Sequence, residues 1–428
     1  MNALETPVID TKDIFVDFEP LPEFDVKVQV RMPAHCIQKI TARLIEGGLE
    51  QTDKQLVQIL LKVSVDEAFS RLEIPPVWGP AFASAKPPSL PLESEDFTFD
   101  FIVDQIPDLQ IPKFESLTIK RPRLDISEDL INSELHSQSL ELGEHQVHSG
   151  GIETDHRVTL NLEVFSSDPT VDPLHFDNLV GRMPCANMPL VLSGIKFADL
   201  DAALRGHVQG DVIDSTIVLP QVLQNESFLT NPHRVKITVL KVESSSPLSL
   251  DEVVKQYGLP SQSVLKMQIK ASLEHRFEMD KMTFMTEDLF SQLVDSVSYS
   301  PSERIVKMHL FEIGQKAFQS HQKNGASQEE AQKYAEKAAN AVKKSVINKL
   351  KRQVIVARIA SEHQLQIGEE NIQEQIRNLA ALQSKRPEDY RQELIDSGQI
   401  SLIQSQVLEH KVTRLVAAKA TMVDFDQE

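Results

Sequence analysis

Three features of the sequence predict a multidomain α+β protein. The first is length, because 428 residues are more than one hydrophobic core usually serves. The second is a change from mixed strand and helix spacing before residue 112 to strand alternation in residues 156–243. The third is helical spacing after the Ser- and Pro-containing break at residues 244–247. We therefore expect a small N-terminal α+β domain, a central antiparallel sheet with one short helix, and a discontinuous all-α C-terminal body.

Composition narrows the classes of function. Charged residues make up 25% and hydrophobic residues 41%, which is the balance of a folded protein. The net charge of −19 argues against nucleic acid as the main partner, because phosphate binding needs clustered positive charge. Without a leader or an apolar run of membrane length, we expect a cytoplasmic chain with no membrane partner. Cys36 and Cys185 fall in no zinc or redox spacing, which fits a reducing compartment.

The N-terminal region predicts a strand, two helices and a returning strand. Residues 1–22 are acidic and contain prolines, so we expect an extended arm. Apolar and polar residues alternate from Phe24 to Met32, which indicates a half-buried strand. Helical spacing follows at residues 37–45 and 56–68, and a second alternating strand covers residues 97–103.

A connector and a sheet follow. Residues 107–124 predict an extended segment, and a capping box of Asp125 and Glu128 opens a helix that ends near Leu142. Beyond a histidine-containing loop, strand alternation recurs three times between residues 156 and 243, with a short helix at residues 197–204. The pattern indicates a compact antiparallel sheet with one helix against it.

Helices dominate the last part of the chain. Ser249 and Glu252 predict a helix start, a second helix covers about residues 266–285, and residues 300–303 predict another start. The clearest helix is predicted from Ser327, capped with Glu330, to about residue 363. A gap in its apolar stripe at residues 338–339 predicts that shallow surface remains available.

The sequence contains no Walker loop, dinucleotide fingerprint, HExxH or nucleophile elbow, so we predict no cofactor. His145, His148 and His156 lie around one loop, but no carboxylate or cysteine completes a metal set at helix spacing. We therefore predict a solvated loop and no metal. A methionine patch indicates either core filling or an adaptable binding surface; its members are Met267, Met279, Met282 and Met285.

The order of these regions resembles the bacterial trigger factor family along nearly the full length. The segments that carry the resemblance are FDFIVDQIPDLQIPKFESLTIKRPRLDISEDLINSEL, RVTLNLEVF, FADLDAALRGHVQGDVIDSTIVLP, VIVARIASEHQLQIGEENIQEQIRNLA and QVLEHKVTRLVAAKA. The resemblance implies a ribosome-docking domain at residues 1–112 and an FKBP-type peptidyl-prolyl isomerase domain at residues 150–246. Residues 113–149 and 247–428 would form the helical chaperone body with its arms. The implied work is ATP-independent sheltering of nascent or unfolded chains, for which the methionine patch is a client-binding candidate.

Two sites depart from the family pattern. The family's docking loop is a basic Gly-Phe-Arg-x-Gly-Lys turn, whereas the matching turn here is acidic, which predicts weak or lost ribosome docking. Its residues are Glu46, Gly47, Gly48, Leu49, Glu50 and Lys54. The family's isomerase pocket is aromatic and contains an acid, and most of these residues are replaced here, which predicts weak isomerase activity. The candidate pocket residues are Asn161, Leu162, Phe197, Leu200, Phe176 and Phe228.

Two other functions remain as alternatives. One is an active peptidyl-prolyl isomerase whose helical body only recruits substrate. The other is a scaffold or assembly factor for one specific partner, which fits a chain that has lost ribosome docking.

Overall fold

The structure is a computed structural model that describes residues 12–46, 52–82, 88–92, 94–166, 173–184, 189–197, 199–219, 232–323, 327–382 and 385–426. Within these ranges the chain is a multidomain α+β protein, as predicted. Buried apolar side chains gather in separate clusters in the N-terminal, middle and helical regions. None of the described helices combines the length and the apolar composition that crossing a membrane requires.

The N-terminal region contains β1 (Phe15–Pro20), β2 (Asp25–Met32), α1 (Ala34–Glu46), α2 (Asp53–Ser70), β3 (Ala81–Phe82) and β4 (Phe97–Asp104). Its strands form an antiparallel sheet in the order β1-β2-β4-β3. Val26, Val28 and Val30 of β2 are buried in one cluster with Ile40 of α1 and Leu60 of α2. The predicted alternation therefore places every second residue of β2 against the two helices.

The extended arm predicted for residues 1–22 is wrong for β1. This segment pairs antiparallel with β2, from Phe15 opposite Arg31 to Pro20 opposite Val26. Ile14, just before the strand, is buried in the N-terminal core. The pairing satisfies backbone groups of β2 that would otherwise form an open sheet edge.

The middle region contains β5 (Thr118–Arg123), α3 (Glu128–Leu142), β6 (Glu144–Val147), β7 (Arg157–Phe165), β8 (Leu174–Arg182), β9 (Leu190–Leu192), β10 (Ile195–Phe197), α4 (Leu200–Leu204), β11 (Val212–Ile217) and β12 (His233–Ser246). The sheet runs in the order β10-β9-β8-β7-β12-β11, and β6 pairs with β12. All of these pairings are antiparallel, and α4 contributes Leu200 and Leu204 to the core. The predicted sheet with one short helix is therefore confirmed.

The histidine-containing loop predicted after the helix that ends near Leu142 is wrong in its first part. There β6 pairs antiparallel with the end of β12.

The helical body contains α5 (Leu250–Gln256), α6 (Gln262–Ser296), α7 (Glu303–Lys323), α8 (Gln328–Ala341), α9 (Lys343–Glu362), α10 (Glu369–Leu382), α11 (Pro387–Asp396) and α12 (Ile400–Ala417). Leu289 and Phe290 of α6 share its main core with Ile355 of α9 and Val412 of α12. Trp78, from the N-terminal region, is buried in the same cluster. The second helix is longer than the predicted 266–285, because both its ends continue the apolar face.

The single helix predicted from residue 327 to about 363 is wrong, because it breaks at Val342. The backbone of Val342 has φ −99° and ψ 0°, outside the helical range, while its side chain is buried in the body core. The break lets α8 pack along α7 while α9 packs against α6 and α12. Apolar spacing continues from Ala335 through Val342 to Val346, so the pattern alone does not reveal the break.

Two predicted helix starts shift by a few residues. Ser127, rather than Asp125, caps α3 by accepting a hydrogen bond from the backbone N–H of Leu130. Ser302 accepts from the N–H of Ile305 at the start of α7, so the predicted start at residue 300 is early. The predicted capping boxes at the starts of α5 and α8 are confirmed, because the serine and the glutamate of each box form both reciprocal hydrogen bonds.

The C-terminal body is not purely helical. After α12 the chain forms β13 (Thr421–Asp426), which pairs in parallel with β5 of the connector. Asp424 accepts hydrogen bonds from Arg121 and Arg123, and the bond from Arg121 holds the pKa of Asp424 below its usual value. The two-stranded ribbon therefore ties the end of the described chain to the connector that precedes the sheet.

Buried polar contacts join the N-terminal region to the helical body. Arg304 of α7 donates to both carboxylate oxygens of Asp25, at 2.7 and 2.8 Å. Asp104 accepts from the backbone N–H of Trp78, and burial raises the pKa of Asp104. The indole Nε1 of Trp78 donates to Gln353 of α9 at 3.0 Å. Breaking one of these buried pairs would leave an uncompensated polar group, so the joint holds a fixed geometry.

Candidate functional site

One candidate for a binding surface is an open groove between α7 and α8, which we call the hairpin groove. Its volume is about 590 Å³. Its lining residues are Leu310, Phe311, Gly314, Gln315 and Phe318 of α7, and Gln332, Ala335, Glu336, Ala339 and Asn340 of α8. The helices run past each other as a hairpin, so the groove opens along their length.

The amino-acid pattern explains the shape of the hairpin groove. Phe311, Gly314 and Phe318 follow helical spacing and therefore share one face of α7. A Cβ at position 314 would lie 3.4 Å from the backbone oxygen of Ala335, which is van der Waals contact, so the two helices lie close together at this point. Small residues thus form the floor and larger apolar residues form the rim. Of the two positions where the sequence predicts available surface, Ala339 lines the groove, whereas Ala338 is buried, so that part of the prediction is wrong.

Phe311 is the most exposed of the apolar lining residues. It is 70% exposed, although it lies midway along α7 and not at a frayed end. A phenylalanine left in water loses the hydrophobic stabilisation that burial would give, roughly 1.5–3 kcal/mol. An apolar segment of another polypeptide that covered this ring would gain part of that free energy.

The methionine patch divides into three environments. Met267 of α6 is 64% exposed, whereas Met285 is 6% exposed and belongs to the body core. Met285 is therefore not accessible to a client, because its side chain packs inward among the helices. Met279 and Met282 line a second cavity of about 230 Å³ between α6, α10 and α12.

This second cavity is more polar than the hairpin groove. His275, Glu278 and Arg414 are among its lining residues. His410 also lines it, and burial, with Arg414 and Arg352 nearby, lowers the pKa of His410 to about 4. His410 is therefore neutral at physiological pH.

Three of the candidate isomerase residues are part of the hydrophobic core of the middle sheet. Leu162, Phe197 and Leu200 are each at most 1% exposed and lie in the cluster that fills the sheet. Phe176 is half-buried against the same cluster, opposite Leu162 on the neighbouring strand. The ring of Phe197 and the side chains of Leu162 and Leu200 are therefore not accessible to a substrate in this structure.

The side chain of Asn161 supports the backbone of a neighbouring strand. Its Oδ1 accepts a hydrogen bond from the backbone N–H of Asn178, at 2.8 Å. Asn178 has a φ of 55°, so the side chain of Asn161 supports an irregular point in β8. Phe228 lies outside the described residues.

Most of the candidate docking turn also lies outside the described residues, which omit positions 47–51. Glu46 is the last residue of α1, and Lys54 is exposed in the first turn of α2. Thr52 caps α2 through a box with Gln55. Weak or lost ribosome docking therefore stays a prediction from the acidic sequence of this turn.

The three histidines around residue 150 are held in different ways. The Nδ1 atom of His145 lies 2.8 Å from Ser245 Oγ, and its Nε2 lies 3.2 Å from the backbone oxygen of Glu141. The rings of His148 and His156 lie 4.3 Å apart. His145 thus bonds to Ser245 and Glu141, whereas His148 and His156 contact each other.

Comparisons with known proteins identify the family. Residues 31–138 match the family described as bacterial trigger factor protein, and residues 262–418 match its C-terminus. Together these ranges cover more than half of the 428 residues.

Similar proteins extend the match across the middle region. Trigger factor of Rhodopirellula baltica is 19% identical, over 92% of this chain and 80% of its own. Trigger factor of Nocardia farcinica is 23% identical, over 97% and 89%. A solved chain from work on promiscuous substrate recognition in folding and assembly activities of the trigger factor chaperone aligns over 95% of this chain and 99% of its own. That alignment has 14% identity and a TM-score of 0.37. The two matched ranges and the relatives agree, and the chain belongs to the trigger factor family.

Proposed function

We propose that this protein is a trigger-factor-like molecular chaperone that shelters unfolded or nascent polypeptides without ATP. The observation that carries the proposal is the hairpin groove, in which Phe311 is 70% exposed beside a floor of small residues. The family assignment supplies the class of client. The location we propose is the cytoplasm, where nascent chains are made.

The chemistry of the groove suits weak and reversible holding. A single exposed phenylalanine gives roughly 1.5–3 kcal/mol when it is fully buried, which alone is far below the free energy of tight binding. Contacts of this size delay aggregation of exposed apolar segments and still allow release. No nucleotide is needed for such a cycle.

We propose that the three regions divide the work as the family resemblance implies. Residues 113–149 and 247–428 would hold clients, and residues 150–246 would be an isomerase-type domain of low activity. Burial of Phe197 and Leu200 supports low activity, because an isomerase pocket must admit a prolyl ring. Residues 1–112 would be a docking domain of weakened ribosome affinity, which rests on the acidic turn alone.

The two alternatives receive no support. An active isomerase requires an accessible aromatic pocket, and the candidate residues Leu162, Phe197 and Leu200 are closed core. A scaffold for one partner predicts a surface specific in charge and shape, and the hairpin groove, with an exposed phenylalanine among small and polar side chains, favours no particular partner. The family match also does not favour them.

An aggregation assay tests the proposal. Phe311→Ser removes the exposed ring, and Ile395→Ser removes an exposed apolar side chain of α11 that does not line the groove. We expect Phe311→Ser to need about five- to tenfold more protein to suppress aggregation of a heat-unfolded enzyme, because ~1 kcal/mol of contact is lost. Ile395→Ser should behave as the unaltered protein. Equal suppression by both variants would overturn the proposal.

A proline-isomerisation assay tests the division of work. We expect the full chain to accelerate isomerisation of a proline-containing peptide only slightly over the uncatalysed rate. Acceleration close to that of an active FKBP-type enzyme would contradict the proposed weak isomerase domain.

A further inference from the structure

A cluster of metal-ligating side chains lies in the N-terminal region, away from the hairpin groove. Asp13, His35 and Cys36 place one carboxylate oxygen, one imidazole nitrogen and one sulfur within 4.8 Å of one another. His35 and Cys36 lie in the first turn of α1, and Asp13 lies in the turn that precedes β1. Sequence spacing does not reveal the set, because Asp13 is 22 positions away from His35.

Two of the three distances within the cluster are close to those of a tetrahedral zinc site. His35 Nε2 lies 3.1 Å from Asp13 Oδ2 and 3.4 Å from Cys36 Sγ. Ligands bound at about 2.0 Å for nitrogen or oxygen and about 2.3 Å for sulfur are separated by roughly 3.3–3.5 Å in a tetrahedron. Both pairs that include His35 therefore have nearly the spacing of ligands, and the third pair, Asp13 and Cys36, lies within 4.8 Å and closes as the exposed Asp13 turns.

Hydrogen bonding satisfies only one of the two contacts of His35 strongly. A carboxylate oxygen of Asp13 requires a donor, so Nε2 carries the hydrogen when it bonds to Asp13. The sulfur of Cys36 can then only be a weak second acceptor of the same hydrogen. A metal ion satisfies all three atoms at once, because each offers it a lone pair.

Charge and exposure also suit a divalent ion of the zinc class. Asp13 and a Cys36 thiolate would carry two negative charges, which balance a dication while His35 stays neutral. The combination of sulfur, nitrogen and oxygen favours zinc over magnesium or calcium, which prefer oxygen. His35 and Asp13 are each about half exposed, so the ion has a path from solvent, while Cys36 closes the inner side.

We propose that Asp13, His35 and Cys36 form a zinc-binding site with water in the fourth position. Binding forms a zinc–sulfur bond and breaks the thiol S–H bond, and the proton passes to solvent. The Lys39 ammonium, 3.9 Å from Asp13 Oδ2 and well exposed, turns away when the ion neutralises Asp13. The bound ion fastens the turn before β1 to the start of α1, and this role is independent of client holding.

Metal titration of the full-length protein tests the site. Zn²⁺ is added to the reduced, metal-stripped protein, and the retained metal is measured after dialysis. Co²⁺ is then used as a spectroscopic probe of thiolate coordination. We expect one retained zinc per chain and a thiolate-to-cobalt charge-transfer band in the near ultraviolet.

Matched variants separate this site from other surface groups. Asp13→Asn and Cys36→Ser should each weaken binding by at least about tenfold, and Cys36→Ser should abolish the cobalt band. Cys185→Ser is the control for the other thiol. His136→Gln is the control for a surface histidine beside a carboxylate, because His136 lies 2.9 Å from Asp155.

Both controls should retain the metal, and circular dichroism should show that Asp13→Asn, a substitution of an exposed side chain, keeps the fold. Unchanged affinity in Asp13→Asn and Cys36→Ser would overturn the proposal. Loss of binding in the His136→Gln or Cys185→Ser control, or a cobalt spectrum without a thiolate band, would do the same.

Discussion

The hairpin groove and the middle sheet use phenylalanine in opposite ways. Phe311 is 70% exposed on the rim of the groove, whereas Phe197 is 1% exposed in the core of the sheet. The ring of Phe197 already has protein partners, so its hydrophobic free energy stabilises the fold. The ring of Phe311 still faces water, so the same free energy is available to a client. Among the described residues, the candidate pocket positions Leu162, Phe197 and Leu200 are buried, whereas the hairpin groove, which has no recognisable sequence motif, is open.

Removing the buried ring of Phe197 tests whether this ring serves the fold or the client. Phe197→Ala removes a fully buried ring, and we expect the middle region to lose about 3–5 kcal/mol of stability, since the cavity is only partly filled by relaxation. Urea unfolding followed by hydrogen exchange of β7–β12 measures the loss. Aggregation suppression at a temperature where the variant stays folded should be unchanged. A loss of suppression under those conditions would show that clients use the sheet.

Acidification should weaken the helical body through a buried histidine of α12. The pKa of His410 is lowered to about 4 by burial, so protonation favours the unfolded chain, in which the pKa is near 6.5. Stability is present above pH 6.5 and is lost as the pH falls towards 4, by roughly 2 kcal/mol between pH 7 and pH 5. Client holding should fall with it.

His410→Gln isolates this effect. Burial raises the pKa of the neighbouring Glu409 and gives an opposite dependence, so the measurement is the difference between the two proteins. We expect the variant to lose less stability than the unaltered protein on acidification from pH 7 to pH 5, as measured by urea unfolding of the body. Parallel pH profiles for the two proteins would contradict the assignment.

The third prediction acts on the hairpin alone. Ser327→Ala removes the hydroxyl that caps α8, and we expect a local cost of about 1 kcal/mol. Hydrogen exchange in α8 should accelerate, and suppression of aggregation should weaken slightly. Ser249→Ala breaks the equivalent capping box of α5 and serves as the control. If both variants suppressed aggregation equally well, the order of α8 would not matter for holding.

The sequence predicts the parts of the fold that depend on local pattern. Alternation identified β2, β4 and β7, and the capping residues Ser249 and Ser327 marked real helix starts. It missed β1 and β13, because the pairing of an edge strand is decided by a partner that the local pattern does not specify. It also missed the break at Val342, where apolar spacing continues across a change of packing partner.

The candidate site is predicted less well than the fold. Helical spacing places Phe311 and Phe318 on one face of α7, but spacing does not tell which face lacks a neighbour. Methionine content indicated Met285, which is core, because adaptable side chains also fill interiors. The one useful signal was the run of small residues that includes Ala339, which now lies in the groove.

Hydrogen exchange with a bound client shows which region of the molecule holds it. The full-length protein is compared alone and with a permanently unfolded polypeptide, and exchange is measured along the whole chain. We expect protection in α7 around Phe311 and in α8 around Ala335, with no change in β7–β10 around Phe197. Protection around Phe197 with none in the hairpin groove would contradict the account.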